Sequence, residues 1–256
     1  MKTFSEMRAR QFLLLLVLAF CLTTKVNAAA ANPEETFAKA NADYAAGNFK
    51  AAISGYEALV KAHHWSASVF YDLGNAYFRT KDFGRAILNY ERALALAPGQ
   101  PEAEANLRLV RDQTRALELT KSWPEEHLAF LSATQYAVLA AIAFWIAAFI
   151  LGALLFWKRR PVVWIFALLL LGALVAASIF AVVTFDSGSS GRDLAIVTGA
   201  KVQARLATAE NAGTVLVLPP GSEIKILSTR GNWSYAALPN DLRGWIPATS
   251  AQRVRL

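Results

Sequence analysis

Three histidines, one cysteine and 19 acidic residues are the side chains of this 256-residue chain that could carry acid–base, nucleophilic or metal chemistry. His63 and His64 are adjacent, so on a helix their side chains diverge by about 100° and cannot close on one metal ion. They read as solvated. His127 stands beside Glu125 and Glu126, too few ligands in one place for a metal site. Cys21 sits alone within an apolar run, which excludes an intramolecular disulfide and a cysteine metal site. The chain has no glycine-rich phosphate loop, no G-x-S-x-G elbow and no H-E-x-x-H, and no two carboxylates stand out as a glycosidase pair. The sequence therefore assigns no catalytic residue, no metal and no cofactor, and the expectation is a protein that is not an enzyme. The side chains left over suit recognition: Asn41 and Asn75, 34 residues apart, and the aromatic group Trp233, Tyr235 and Trp245.

The elements that would carry these residues begin with a membrane. The chain is 55% hydrophobic and 18% charged with a mean hydropathy of +0.32, too apolar for disorder and high for a soluble domain. Its length allows one or two small folded units beside membrane spans and excludes a large multi-domain enzyme. The net charge of +7 divides into +3, −2, +3 and +3 over residues 1–28, 29–132, 133–185 and 186–256. No block is a basic stripe, so nucleic-acid binding is not expected.

Residues 1–28 read as a secretory signal, with Lys2, Arg8 and Arg10 ahead of the apolar stretch Phe12 to Leu22 and small residues in Val26-Asn27-Ala28. Cleavage would leave Ala29 first; the alternative is an uncleaved anchor, for which an 11-residue apolar stretch falls short of the roughly 20 a span needs. Residues 133–157 and 162–185, 25 and 24 long and free of charge, read as transmembrane helices. Lys158-Arg159-Arg160-Pro161 between them forces an antiparallel hairpin, and the excess of positive charge places this loop 158–161 in the cytoplasm. Both flanking domains then lie across the membrane from it. Neither span contains an ionisable residue, so the hairpin reads as an anchor, with Gly152 and Gly172 as candidates for close helix contact.

Between signal and membrane, residues 29–132 contain a 34-residue repeat: Phe49, Ala52, Ile53 and Tyr56 recur as Phe83, Ala86, Ile87 and Tyr90. In the second unit, 67–100, Phe70, Leu73, Gly74, Tyr77, Ala86, Tyr90, Ala93 and Pro98 occupy all eight positions of the tetratricopeptide pattern, which this unit closely resembles. These are packing residues: small Gly74 and Ala86 let paired helices approach, tyrosines fill the space beside them, and Pro98 stops the second helix. The first unit, 33–66, keeps Ala52 and Tyr56 but has Lys39, Ala40 and Asp43 where the leucine, glycine and aromatic belong. A capping helix over 102–119, with Ala105, Leu109, Val110 and Leu117, is expected to cover the second unit. By analogy with the family, the inner surface carries Phe37, Asn41 and Tyr44 from the first unit and Tyr71, Asn75, Phe78 and Arg79 from the second. The two asparagines resemble the pair that carboxylate-clamp members use on a peptide C-terminus, although Phe37 and Tyr71 stand where such members have basic residues. A general protein or peptide groove and a purely structural array stay open as alternatives.

From Asp193 short alternating stretches such as Glu223–Leu227 and Trp233–Ala237 are separated by turn clusters at Pro219-Pro220-Gly221, Arg230-Gly231-Asn232 and Pro239-Asn240-Asp241. Residues 193–256 thus predict a small all-β domain of five or six strands. The order Leu218-Pro219-Pro220-Gly221, Gly231-Asn232-Trp233, Gly244-Trp245-Ile246-Pro247 is similar to the bacterial SH3-like barrel, from which Ala204–Thr208 departs in the first strand and loop. Trp233, Tyr235 and Trp245 are either a ligand face or the half-buried core and rim of the barrel.

The fold class expected is thus a multi-domain membrane protein: all-α tetratricopeptide helical repeats, a two-helix transmembrane hairpin and a small all-β SH3-like barrel. The whole order resembles the BatE family of aerotolerance-operon proteins of Gram-negative bacteria. That resemblance implies an inner-membrane scaffold with both soluble domains in the periplasm, working with von Willebrand factor A membrane proteins and a MoxR-type AAA+ ATPase in oxidative-stress tolerance. The alternative is a cell-wall tether or sensor that binds peptidoglycan peptides through its C-terminal domain.

Overall fold

The computed structural model describes residues 32–156 and 162–256; the expected signal at 1–28 and the basic loop 158–161 lie outside the described residues. The first part is five helices, α1 Pro33–Ala45, α2 Phe49–Lys61, α3 Ala67–Arg79, α4 Phe83–Leu96 and α5 Pro101–Thr114. Local chemistry fixes their starts: the side chains of Asn32, Ser66 and Asp82 accept from the backbone N–H groups of Glu34, Val69 and Arg85. Gly47 and Lys81, one period apart, both take the left-handed conformation (φ 80° and 64°) that turns one helix into the next. At the heart of the second unit, a Cβ added to Gly74 would stand 2.8 Å from the Tyr90 ring. The first unit reaches the same close approach by another route. Ala40 replaces the glycine, and Gly55 on the facing helix gives way instead, an added Cβ there meeting that of Ala40 at 2.9 Å.

Helix α5 covers the second unit through buried Ala103, Leu107 and Val110. It is shorter than the expected 102–119. Thr114 turns its hydroxyl back onto the carbonyls of Val110 and Arg111, and Arg115 enters the left-handed region (φ 53°) and ends the helix. Ala105 and Leu109 are exposed, and Leu117 packs against the C-terminal sheet instead of the repeats. The segment after Arg115 runs along that sheet: Leu117 N–H donates to Ser222 Oγ (3.1 Å), Glu223 N–H to Leu117 O (2.8 Å) and Leu119 N–H to Glu223 Oε2 (3.0 Å).

A short helix α6, Trp123–Leu128, leads into α7 Ala133–Phe156 and α8 Val162–Ser187, which pack against each other. Both are long and apolar enough to cross a membrane, and only 11% of either apolar window is buried, which separates them from core helices of a soluble domain. Their mutual contact buries Tyr136, Ala143, Ser178 and Ala181. Gly152 and Gly172 are not part of it, since a Cβ added at either would meet nothing within 4 Å. Glu125 of α6 is the brace at the hairpin's end: its carboxylate accepts from Ser122 N–H and Oγ and from Ser189 N–H and Oγ.

The C-terminal part is an antiparallel sheet of seven strands, β1 Leu194–Val197, β2 Val202–Arg205, β3 Thr214–Leu218, β4 Glu223–Arg230, β5 Trp233–Ala237, β6 Arg243–Pro247 and β7 Ala251–Arg253. The order is β3-β2-β6-β5-β4-β1-β7, with β3 and β7 as edges. The sheet has seven strands against the expected five or six, and β1 makes its main contact with the helices. All four residues of β1 are buried, because its two faces serve two cores. Ala195 and Val197 point into the sheet's own core, while Leu194 and Ile196, with Val254, join the core of the repeats. The approach is close: a Cβ on Gly84 of α4 would lie 2.8 Å from Thr198 Cα. Repeats and sheet therefore form one packed body, and both ends of the hairpin return to it on the same side.

Candidate functional site

Helices α1, α3 and α5 begin one period apart, at Pro33, Ala67 and Pro101, so they present equivalent positions on one face. On it, Asn41 Oδ1 accepts from Tyr56 OH (2.6 Å), and Asn75 Oδ1 accepts from Tyr90 OH (2.8 Å). The two asparagines expected to pair do occupy the same place in successive units, each held by the second-helix tyrosine of its own unit. With the oxygens engaged inward, both amide Nδ2 groups are left as donors on the surface. One period beyond Asn75 the same position is Leu109, 54% exposed, so the row reads amide, amide, apolar.

The other expected groove residues divide. Phe37 and Tyr71 flank the row, their rings 6.0 Å from those of Tyr56 and Tyr90. Tyr44 packs edge-on to Phe49 at 5.3 Å. Phe78 and Arg79 are drawn away to the far end of α3, where Phe78 packs on Phe83 (5.9 Å) and the Arg79 guanidinium lies 4.5 Å over Phe49. They hold helix ends together and stand apart from the asparagine row.

Two residues of this face escape the sequence pattern. Asn106 of α5 donates to Asn75 Oδ1 (3.1 Å) and to Tyr71 OH (3.3 Å), tying the capping helix to the groove. Asp72, which shares its repeat position with Asn106, carries a carboxyl raised above its usual range by burial. Its negative charge is felt at Tyr56 and Tyr90, whose phenols are raised by burial first and by Asp72 among lesser causes. The 34-residue offset between Asp72 and Asn106 was the signal for both. Among the described residues no lysine or arginine makes an ion pair with Asp72 or bonds to Asn41 or Asn75. A terminal carboxylate would find two amide donors here, with a carboxylate nearby.

The opposite face of the repeats is closed by the sheet, and a cluster of acids there surrounds Arg111. Arg111 of α5 donates to Glu91 Oε1 of α4 (2.6 Å) and to Glu223 of β4, with Glu118 Oε1 at 3.5 Å. Burial pushes the Glu91 carboxyl up to about 7 against the pull of Arg111, and raises Glu223 as well. Arg111 Nε is buried without a partner.

Trp233, Tyr235 and Trp245 are half-buried, but not in the core. Along β5 and β6 they alternate with buried Ser234, Ala236, Gly244 and Ile246, so their side chains leave by the outer face. Tyr235 and Trp245 are cross-strand partners with rings 5.0 Å apart, Trp233 pairs with Pro247, and Arg205 of β2 pairs with Trp245 on the other side. His63 and His64 are exposed, and His127 stacks on Trp123 at 4.3 Å.

Residues 67–100, the second unit, match the tetratricopeptide repeat family. No curated protein matches the chain. The repeat supports protein–protein interaction as the role of the helical part, and its inner face is where the donors and rings described above are gathered.

Proposed function

We propose that the chain is a membrane-anchored interaction scaffold whose asparagine row holds an extended internal segment of a partner protein. The observation that carries this is the arrangement of Asn41, Asn75 and Leu109. Two amide donors at repeat spacing suit the main-chain carbonyls of an extended peptide, and an exposed leucine next in line suits an apolar side chain of that peptide. Asp72 beside the row favours a basic residue in the bound segment. Phe37 and Tyr71, standing where carboxylate-clamp members have basic residues, favour an internal segment over a terminal carboxylate. Covering of the other helix face by the sheet directs partners to this one.

The anchoring hairpin and the export-like N-terminus support placing both soluble parts in the periplasm with loop 158–161 in the cytoplasm. On the resemblance to the BatE family, the partners are von Willebrand factor A membrane proteins, with a MoxR-type AAA+ ATPase in the same complex and oxidative-stress tolerance as its purpose. The test is cross-linking in intact cells, followed by recovery through a C-terminal tag. Wild type is expected to bring down a von Willebrand factor A protein, and a Tyr71→Ala/Asn75→Ala double variant that still folds is expected to lose it. Equal recovery by both would overturn the groove.

A second reading rests on the outer aromatic ladder of Trp233, Tyr235 and Trp245, which suits a cell-wall peptide bound on an SH3-like sheet. Co-sedimentation of the full chain with purified peptidoglycan, lost in Trp245→Ala, would support it. Failure of the wild type to sediment would end it.

A further inference from the structure

A buried arginine on α4 has no acid to answer it. Arg92 is only 8% exposed, its Nε donates to Val254 O (3.3 Å) and its Nη2 to Arg253 O (2.9 Å), and its guanidinium lies 5.8 Å over the Phe70 ring. Among the described residues no carboxylate, the chain terminus included, comes within 4.0 Å of it. Burial lowers it only to about 10, so it stays charged at neutral pH. The neighbouring Glu91 is engaged elsewhere, with Arg111. An isolated buried cation costs several kcal/mol unless a partner compensates it.

Arg92 lines a cavity of about 630 Å³, within the range of about 300–1,000 Å³ usual for small-molecule sites. Its other walls are mainly apolar apart from Arg255 and Glu91, whose Oε1 accepts from Arg111, and the large side chains toward solvent are Trp65, Leu96 and Leu256, 40%, 52% and 58% exposed. One wall is formed by Ser190 and Gly191, immediately after the end of α8 at Ser187. A cationic floor, apolar walls and a position where the chain leaves a membrane-length helix are the chemistry of one ligand class.

We propose that this cavity binds a single anionic phospholipid from the adjacent leaflet, its phosphate on Arg92 and an acyl chain along Trp65, Leu96 and Leu256. Arg255, which also lines the cavity, sits 3.7 Å from Asp186 and is positioned to share the phosphate. The bound lipid would tie the C-terminal strand, the second repeat and the end of α8 to the bilayer surface. The inference rests on the membrane reading of α7 and α8.

The test uses the full chain, stripped of lipid in a neutral detergent and offered phosphatidylglycerol, phosphatidylcholine or inorganic phosphate, with bound species counted by native mass spectrometry. Expected is one phosphatidylglycerol retained per chain with about tenfold preference over phosphatidylcholine. That preference should be lost in Arg92→Gln and kept in Arg92→Lys. Leu96→Glu, at a half-exposed position outside the buried core, should lower retention by a similar factor and serves if Arg92→Gln fails to fold. Equal retention of the two lipids, or unchanged preference in both Arg92→Gln and Leu96→Glu, would overturn the site. Displacement of the lipid by inorganic phosphate alone, or by a peptide with a free carboxylate, would overturn the acyl assignment. Flotation with phosphatidylcholine vesicles separates the two levels: a chain that does not float refutes the membrane reading, and one that floats without lipid preference refutes only this site.

Discussion

Helices α1, α3 and α5 keep amides and phenols at the surface of the repeats, whereas α4 turns small and apolar side chains against β1 and closes over a buried ion cluster. On the first face the amides have neutral partners, Asn41 with Tyr56 and Asn75 with Tyr90 and Asn106, and the Asp72 carboxylate stands beside them. On the second, Arg111 is shared by Glu91 and Glu223 with little solvent around them. A face built from neutral hydrogen bonds can exchange them for a ligand's at small cost. A face holding two carboxylates on one guanidinium cannot open without stranding charge, which suits a permanent junction.

Removing the cation should therefore have the largest effect on the molecule. Arg111→Met leaves Glu91 and Glu223 buried without compensation and is expected to lower stability by about 3–5 kcal/mol, read by denaturant unfolding in detergent. The triple variant Glu91→Gln/Arg111→Met/Glu223→Gln should recover most of that loss, because neutral groups of similar volume need no counter-charge. A triple variant no better than the single one would mean that Arg111 acts through packing alone.

The same cluster should make the junction sensitive to pH. Glu91 is raised from 4.5 to about 7 on folding, so between those values the folded chain binds a proton that the unfolded chain has released. Stability then falls as pH rises from about 4.5 to 7 and levels off above, by roughly 3 kcal/mol at most. Glu223 is raised in the same direction and shares Arg111, with Glu118 and Lys121 close by, so the slope belongs to the cluster. Glu91→Gln should flatten the denaturation midpoint across this window. An unchanged slope would move the effect to Asp72 or Glu223.

Steric closeness of the junction offers a milder break. Gly84→Ala places a methyl against Thr198 Cα and Val197 O, main-chain atoms that cannot swing aside. A loss of about 1–2 kcal/mol is expected, with faster proteolysis in the segment between α5 and α6. A glycine change away from the junction, Gly47→Ala in the turn between α1 and α2, meets no atom within 4 Å and costs only its left-handed backbone.

How much of this was legible follows the range of the interactions. Phe70, Leu73, Gly74, Tyr77, Ala86, Tyr90 and Ala93 announce the second repeat because each packs within its own unit, and all are buried. The alternation in β5 likewise reports one buried face, whereas in β4 it ends at Ile226, after which the strand is exposed. The apolar run Leu194–Val197 fits burial on both faces, but it carries no sign that one of them docks on the repeats. The Glu91–Arg111–Glu223 cluster left no such sign, since its members lie on three elements with no common period. Leu117 was misplaced for a related reason: its spacing suits a helix, but Ser222 and Glu223 draw that stretch out along the sheet.

The smallest expected effect bears most directly on the groove. Asn106→Ala removes two hydrogen bonds near 3.1 and 3.3 Å at a half-exposed position, and Tyr90 still donates to Asn75 Oδ1. Stability should drop by only about 1 kcal/mol. What Asn106 supplies beyond that is orientation: without it Asn75 is fixed by a single bond, and its Nδ2 no longer points one way. Partner recovery in the cross-linking assay should fall severalfold while unfolding changes little. The reverse pattern, a large loss of stability with recovery intact, would make the amide network part of the repeat's own architecture and leave Leu109 and the tyrosine rings as the surface that partners feel.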